Sequence, residues 1–254
     1  LAALKQTKRL PRVWARRGTG TTSGAFLAFA GPVSQLLWCR IAIYAYVGRC
    51  ASLLGAAAGA AQQIMSTLFW GSTTLSAEPF NTAGQTFLPD HYDPETPDVI
   101  TPRFRLTLQR LLDSSLLWGL AITLGTYPLK SEKALSAFTT SKEVMNLVAI
   151  GPILAVGAII APMLTAEGTL VVLGEFQWLV RSMVFSSFVT YGLVTWLRNA
   201  GRASIANYWW ATVTFTACRL ICNMVGVRTH VRRARVKNFA EYRREKREAE
   251  LRLR

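Results

Sequence analysis

The residues best suited to chemistry in this 254-residue chain are the few charged side chains that interrupt its apolar stretches: Arg40, Arg181, Arg219, Glu167 and Glu175. Charged groups are costly in hydrocarbon and often mark solute pathways or partner helices. We expect Glu167 and Glu175 in a connection between two spans and Arg181 near the end of a span. Arg40 and Arg219 are then the unusual pair. We expect both to reach an interface or to meet an acidic residue or a lipid phosphate.

Side chains for catalysis or cofactor binding do not form a recognisable set. The two histidines, His91 and His230, lie in an acidic segment and in a basic tail, so they cannot hold a haem between helices. The sequence contains no phosphate-binding loop, nucleophile elbow or zinc-protease motif. We therefore predict no catalytic residue, no cofactor and no metal site.

The clustered acids and the cysteines fit structural roles better than metal binding. Prolines hold the acidic segment extended, which prevents its oxygen ligands from surrounding one cation. The acids concerned are Asp90, Asp93, Glu95 and Asp98. The four cysteines fall in apolar stretches and are expected to pack as small buried side chains. Cys218 and Cys222 share a helical face, so a metal or redox role is the alternative for these two.

The charged side chains named above are positioned by long apolar stretches, which charged segments separate. This alternation is typical of a helical membrane protein. Hydrophobic residues make up 51% of the chain, and the formal net charge is +15. Residues 145–165 carry no charge and are long enough to cross about 30 Å of hydrocarbon. Residues 176–197 and 203–227 form two further predicted spans, joined by a short turn.

Three more spans are predicted nearer the N-terminus: residues 25–46, 51–71 and 104–129. Gly48 and Arg49 are expected to form a turn between the first two, with one long tilted helix as the alternative. Residues 104–129 carry charges in their first half, so an amphipathic interfacial helix is the alternative there. The predicted fold is an all-α, polytopic helical membrane protein with about six (or four) transmembrane helices and a charged C-terminal helical extension.

The charge pattern divides the chain into segments. They are a basic N-terminal extension (1–24), N-terminal membrane helices (25–71), an acidic proline-rich extramembrane loop (72–103), a membrane helix bundle (104–227) and a basic C-terminal helix (228–254). The loop is predicted because residues 78–98 hold five acids, four prolines and no Lys or Arg.

Two sets of residues are expected to contact partners. Gly55 and Gly59 have the spacing of small residues that lets membrane helices pack closely, although chance in an alanine-rich run explains it equally well. Several basic residues are expected to contact anionic lipid, such as cardiolipin, or a partner protein: Arg40, Arg219, Arg228, Arg232, Arg233 and Arg235. No nucleic-acid partner is predicted, because no recognisable fold surrounds the basic tail.

The N-terminal charges indicate an organelle. The first 77 residues hold eight basic side chains and no acid, which resembles a transit peptide more than a secretory signal. Both termini are predicted on the matrix side of the mitochondrial inner membrane, with a plastid membrane as the alternative. We expect a non-catalytic structural or accessory transmembrane subunit that contacts the other membrane subunits of a respiratory-chain complex or ATP synthase. A small membrane carrier or channel for an anionic solute is the alternative.

Overall fold

The computed structural model describes residues 23–92, 99–233 and 235–236, and these are almost entirely helical. Within them the helices are α1 (Ser23–Ser52), α2 (Ala56–Leu68), α3 (Leu75–Phe87), α4 (Pro102–Thr126), α5 (Glu132–Leu135), α6 (Lys142–Leu147), α7 (Ile150–Val172), α8 (Phe176–Asn199) and α9 (Ile205–Arg233). A π-helical turn, Phe69–Thr74, joins α2 to α3. Short 3-10 turns follow α3 and α4 at Pro89–His91 and Tyr127–Lys130. The predicted all-α class is confirmed.

Helix α7 lies at the centre of the bundle. It packs against α3, α4 and α9, while α8 packs against α9 and α1. Every residue from 160 to 170 is buried. A charged side chain in this part of α7 must therefore find its partner inside the protein.

Two glycine contacts allow α7 to approach its neighbours closely. A Cβ atom on Gly168 would lie 2.5 Å from the carbonyl oxygen of Asn81 in α3. A Cβ atom on Gly119 in α4 would lie 2.6 Å from the carbonyl oxygen of Ala158 in α7. Small residues at such crossings let two helix backbones touch.

Within the described chain the predicted packing residue Gly55 contacts no other helix, and Gly59 approaches only the end of α1. Gly55 precedes α2 with φ 121°, a backbone conformation that favours glycine, and no described heavy atom lies within 4 Å of an added Cβ. The nearest atom to a Cβ on Gly59 is the Ser52 hydroxyl, at 3.9 Å. Packing of these glycines against a partner chain stays a prediction.

The N-terminal boundaries differ from those predicted. Gly48 and Arg49 lie inside α1, and the break between the first two helices falls at Gly55. The expected acidic loop begins later, because residues 78–87 belong to α3. This segment is helical because α3 packs along α7 and its Gly84 allows close approach, a tertiary contact that overrides the polar composition.

The two ends of the central bundle also differ from the prediction. Helix α7 extends to Val172, which places Glu167 inside the helix and not in a connection. Helix α9 continues past residue 227 to Arg233. Arg235–Val236 then pairs in parallel with Val99–Ile100, so a continuous C-terminal helix is wrong at those two residues. The predictions for residues 1–22, 93–98, 234 and 237–254 lie outside the described residues.

Two described helices are long and apolar enough to cross a membrane. They are Ile150–Val172, with mean hydropathy 1.7, and Ile205–Arg232, with mean hydropathy 1.3. These criteria concern length and composition, and the core helix of a soluble protein also meets them. The predicted six spans are therefore not confirmed by helix composition.

Candidate functional site

Three charged side chains from three helices meet inside the bundle, and we call them the charged cluster: Arg40, Glu167 and Arg219. Arg40 Nη2 donates a hydrogen bond to Glu167 Oε1 at 3.0 Å, and Arg219 Nη2 donates to Glu167 Oε2. Arg219 is only 2% exposed, whereas the Arg40 side chain is 24% exposed. The charged cluster is therefore closed at Arg219 and partly open at Arg40.

Helical spacing brings the supporting residues to the charged cluster. Phe215, Arg219 and Asn223 repeat every four residues and are all buried, so they form one inward face of α9. The Arg219 guanidinium carbon lies 5.4 Å from the centroid of the Phe215 ring, which is a cation–π contact. Asn223 accepts a hydrogen bond from the Ser182 hydroxyl of α8 at 2.8 Å. These contacts fix Arg219 in position beside α7.

An aromatic group covers the charged cluster on the side of α2. Tyr44 stands one helical turn from Arg40, and its ring centroid lies 6.0 Å from that of Phe215. The same ring lies 5.4 Å from each of Phe69 and Trp70, at the π-helical turn. The turn between α2 and α3 therefore contacts the wall of the charged cluster directly.

The charged cluster carries a formal net charge of +1, because one carboxylate faces two guanidinium groups. Burying a charge costs several kcal/mol unless a partner compensates it. Arg40 Nε is buried and has no hydrogen-bond partner among the described residues. The charged cluster therefore has an excess positive charge and, among the described residues, one buried, unpaired donor at Arg40.

The outer surfaces of the C-terminal half of α4 and of the middle of α8 are apolar, and we call them the apolar faces; the N-terminal half of α4 instead exposes charged side chains. Leu117 and Leu124 of α4 are 68% and 74% exposed, and Phe188 of α8 is 71% exposed. Other exposed residues continue these faces: Leu116, Leu120, Phe185, Tyr191 and Trp196. Monomeric soluble proteins rarely expose apolar patches of this extent. Apolar surfaces around charged and hydroxyl-bearing interior groups are the arrangement expected in lipid.

The outer surface of α2 and α3 is polar instead, and we call it the polar stripe. Its residues are Gln63, Thr67, Glu78, Thr82, Gln85 and Thr86, all of them exposed. Asn81 Nδ2 donates to Glu78 Oε1 at 2.8 Å, and Gln85 Nε2 donates to Asn81 Oδ1 at 3.0 Å. A shallow groove of about 570 Å³ runs along α3, and its lining combines Glu78, Thr82 and Thr86 with the apolar side chains of Pro79, Ala83 and Phe87.

The other predicted contact residues lie at the end of α9, away from the charged cluster. Arg228 and Arg232 are exposed. Arg233 ends α9, and Arg235 lies in the short strand pairing. The structure brings Arg40 and Arg219 together but leaves these four arginines separate.

Sequence reasoning missed Glu167 as the common partner of the two arginines. The signal that could have revealed it is the apolar stretch after residue 165, which continues the helix through residue 172. It also missed a contact between Glu175 Oε1 and His230 Nδ1 at 3.1 Å. That contact joins the α7–α8 connection to the end of α9.

Comparison of the chain with protein-family models, with curated proteins and with solved structures finds no match. A function must therefore be argued from the charged cluster, the apolar faces and the polar stripe.

Proposed function

We propose that the chain forms a helical bundle of a membrane carrier for an anionic solute. The apolar faces of α4 and α8 support a location in lipid, since a surface of exposed leucine and phenylalanine side chains gains free energy there. The organelle, the inner membrane and the matrix-side termini belong to the same proposal and follow from the charge pattern alone.

The observation that carries the carrier function is the polar stripe. Lipid cannot satisfy the hydrogen-bonding groups of Glu78, Thr82 and Gln85, so this surface must face water, a solute or a polar partner. It lies on helices interrupted by a π-helical turn. Interrupted helices next to solute sites are typical of secondary transporters.

The charged cluster supports an anionic solute. A solute carboxylate that reaches the partly exposed Arg40 side chain would meet the excess positive charge of the cluster, while Glu167 remains paired with Arg219. Guanidinium groups form strong, charge-assisted hydrogen bonds with carboxylates. The Tyr44 ring, one helical turn from Arg40, contacts Phe69 and Trp70 of the π-helical turn, so movement of the turn would alter access to Arg40.

Uptake into liposomes tests this proposal. The purified full chain is reconstituted and given labelled mono-, di- and tricarboxylates. Arg40→Gln is expected to lower uptake about tenfold or more, because a hydrogen bond to a charged group contributes roughly 1.5–3 kcal/mol. Arg49→Gln is the matched control, since Arg49 is exposed at the end of the same helix. Equal uptake by the two variants, or no uptake by the unmodified chain, contradicts an anion carrier.

The second candidate is an accessory subunit of a larger organellar membrane complex. It is favoured by the same polar stripe, because polar groups of a neighbouring membrane subunit could cover it. It is also favoured by the exposed Gly55, which no described helix covers. Native gel electrophoresis after mild detergent extraction separates the two functions. Migration at several hundred kilodaltons with no uptake in liposomes supports the subunit, whereas a small species that transports a carboxylate supports the carrier.

A further inference from the structure

A compact cap of short helices connects α4 to α7. It consists of the Tyr127–Lys130 turn, α5 and α6, and it is fixed to the bundle by Leu135 and Val144, which are 6% and 7% exposed. The hydroxyls of Ser131 and Ser141 accept hydrogen bonds from the backbone N–H groups of Ala134 and Val144 at the starts of α5 and α6. These contacts fix the backbone at the starts of the two short helices.

A small cavity lies within this cap, and its lining combines opposite charges with an apolar wall. Its volume is about 200 Å³, and it is lined by Lys130, Glu132, Leu135, Lys142, Met145 and Asn146. Two ammonium groups and one carboxylate give the cavity a formal net charge of +1. Within the described parts of the chain, none of these three charged side chains has an ion-pair partner.

In the membrane location proposed above, the cavity lies at the headgroup level. It directly precedes α7, one of the two helices long and apolar enough to span. Tyr127 and Phe138 on the same cap are 58% and 44% exposed. Exposed aromatic rings beside lysines at the end of a span are characteristic of a membrane interface.

We propose that this cavity binds the headgroup of phosphatidylglycerol. The ammonium groups of Lys130 and Lys142 hold the phosphodiester, whose single negative charge matches the net charge of the cavity. Glu132 accepts a hydrogen bond from a glycerol hydroxyl, and Asn146 offers a second polar contact. Leu135 and Met145 contact the apolar part of the lipid next to the phosphate. This inference rests on the membrane location in the proposed function, but not on transport.

Glu132 determines which anionic lipid fits. Phosphatidylserine can pair its ammonium with Glu132, but its carboxylate then adds a second anionic group beside the phosphodiester that already occupies both lysines, which is unfavourable. Phosphatidylcholine has a headgroup with no hydroxyl or N–H donor for Glu132. The cavity is therefore selective for a hydroxylated phosphodiester.

Native mass spectrometry of the full chain in detergent, titrated with each lipid, tests the site. Phosphatidylglycerol is expected to bind about tenfold more tightly than phosphatidylserine or phosphatidylcholine. Each lysine near an anionic headgroup contributes roughly 1 kcal/mol, so Lys130→Gln with Lys142→Gln should weaken binding about 30-fold. Lys133→Gln is the matched control, because Lys133 lies in the same cap but outside the cavity lining.

Two further variants separate the proposed contacts from a general effect on folding. Lys130→Arg with Lys142→Arg should keep phosphatidylglycerol binding within about threefold, since both charges remain. Glu132→Gln should remove the preference for phosphatidylglycerol over phosphatidylserine while leaving a thermal transition in place. A loss of binding in the arginine variant, or an unchanged preference in Glu132→Gln, contradicts the assignment.

Other outcomes would overturn the lipid site in distinct ways. An equal loss of binding in Lys133→Gln means that surface charge alone attracts the lipid. Competition by glycerol 3-phosphate at a concentration equal to that of the lipid assigns the cavity to a soluble phosphate. Extraction of the chain from membranes by alkaline carbonate refutes the membrane location itself, whereas an integral protein without lipid preference refutes the headgroup site alone.

Discussion

The apolar faces of α4 and α8 and the polar stripe of α2 and α3 are equally open surfaces with opposite chemistry. Leu124 and Phe188 on the first are more than two thirds exposed, at 74% and 71%. The second presents Glu78 and Gln85 in a connected set of side-chain hydrogen bonds. Large exposed apolar patches mark a surface that another molecule or a membrane covers. The difference is the one that the proposed membrane location predicts, with lipid against the apolar faces and a polar medium or partner against the polar stripe.

The largest expected effect concerns the interior, where a charge is tolerated only with its partner. Glu167→Ala leaves Arg219 buried without a carboxylate, and the loss of one partner of a buried ion pair costs about 3–5 kcal/mol. Thermal unfolding in detergent should show a large fall in the transition temperature or no folded species. Glu175→Gln is the control, because Glu175 is 42% exposed and its contact is partly solvated. Equal transition temperatures for the two variants would show that the charged cluster does not stabilise the bundle.

A lysine scan tests the comparison between the surfaces directly. Phe188→Lys places a charge at the middle of an apolar face, which costs about 2.5–3.5 kcal/mol in a membrane. Thr82→Lys places the same charge on the polar stripe, where we expect little change. Membrane insertion efficiency measures both. Similar insertion of the two variants would remove the distinction between the surfaces.

The position of the polar stripe depends on the contact between α3 and α7, which a single methyl group can disturb. Gly168→Ala puts a Cβ atom 2.5 Å from the carbonyl oxygen of Asn81, so the helices must separate. Overpacking of this kind costs roughly 1–3 kcal/mol. Gly192→Ala is the control, because no described atom lies within 4 Å of its Cβ position. Differential scanning fluorimetry should show a lower transition temperature for the first variant only.

The smallest expected effect is a difference in cysteine labelling. It compares the access of water to the polar stripe with its access to an apolar face. A cysteine at Thr82 should react with a membrane-impermeant thiol reagent about tenfold faster than a cysteine at Phe188, since thiolate formation requires water. The background is a chain in which Cys39, Cys50, Cys218 and Cys222, all free thiols, are replaced. Faster labelling at Phe188 would reverse the proposed environments.

Several helices could be predicted because the length of an apolar stretch can be read directly from the local sequence. Helix α8 begins at Phe176 as predicted and ends two residues later than expected, at Asn199. Helix α3 was not predicted, because the five acids and four prolines of residues 78–98 indicate a loop by composition. Only its contact with the surface of α7, through Gly84 and Gly168, makes the helix favourable there.

The sequence by itself determined that the protein is helical and that Arg40 and Arg219 require an explanation, since a charge in an apolar stretch is unusual wherever the helix lies. Only the tertiary structure decided that both arginines share Glu167, which is 127 residues from one and 52 from the other along the chain. It also decided which exposed surfaces are polar, because the orientation of a helix depends on the neighbours against which it packs. Spacing along one helix defines its faces, but the packing of α7 against α3, α4 and α9 determines which faces remain outside.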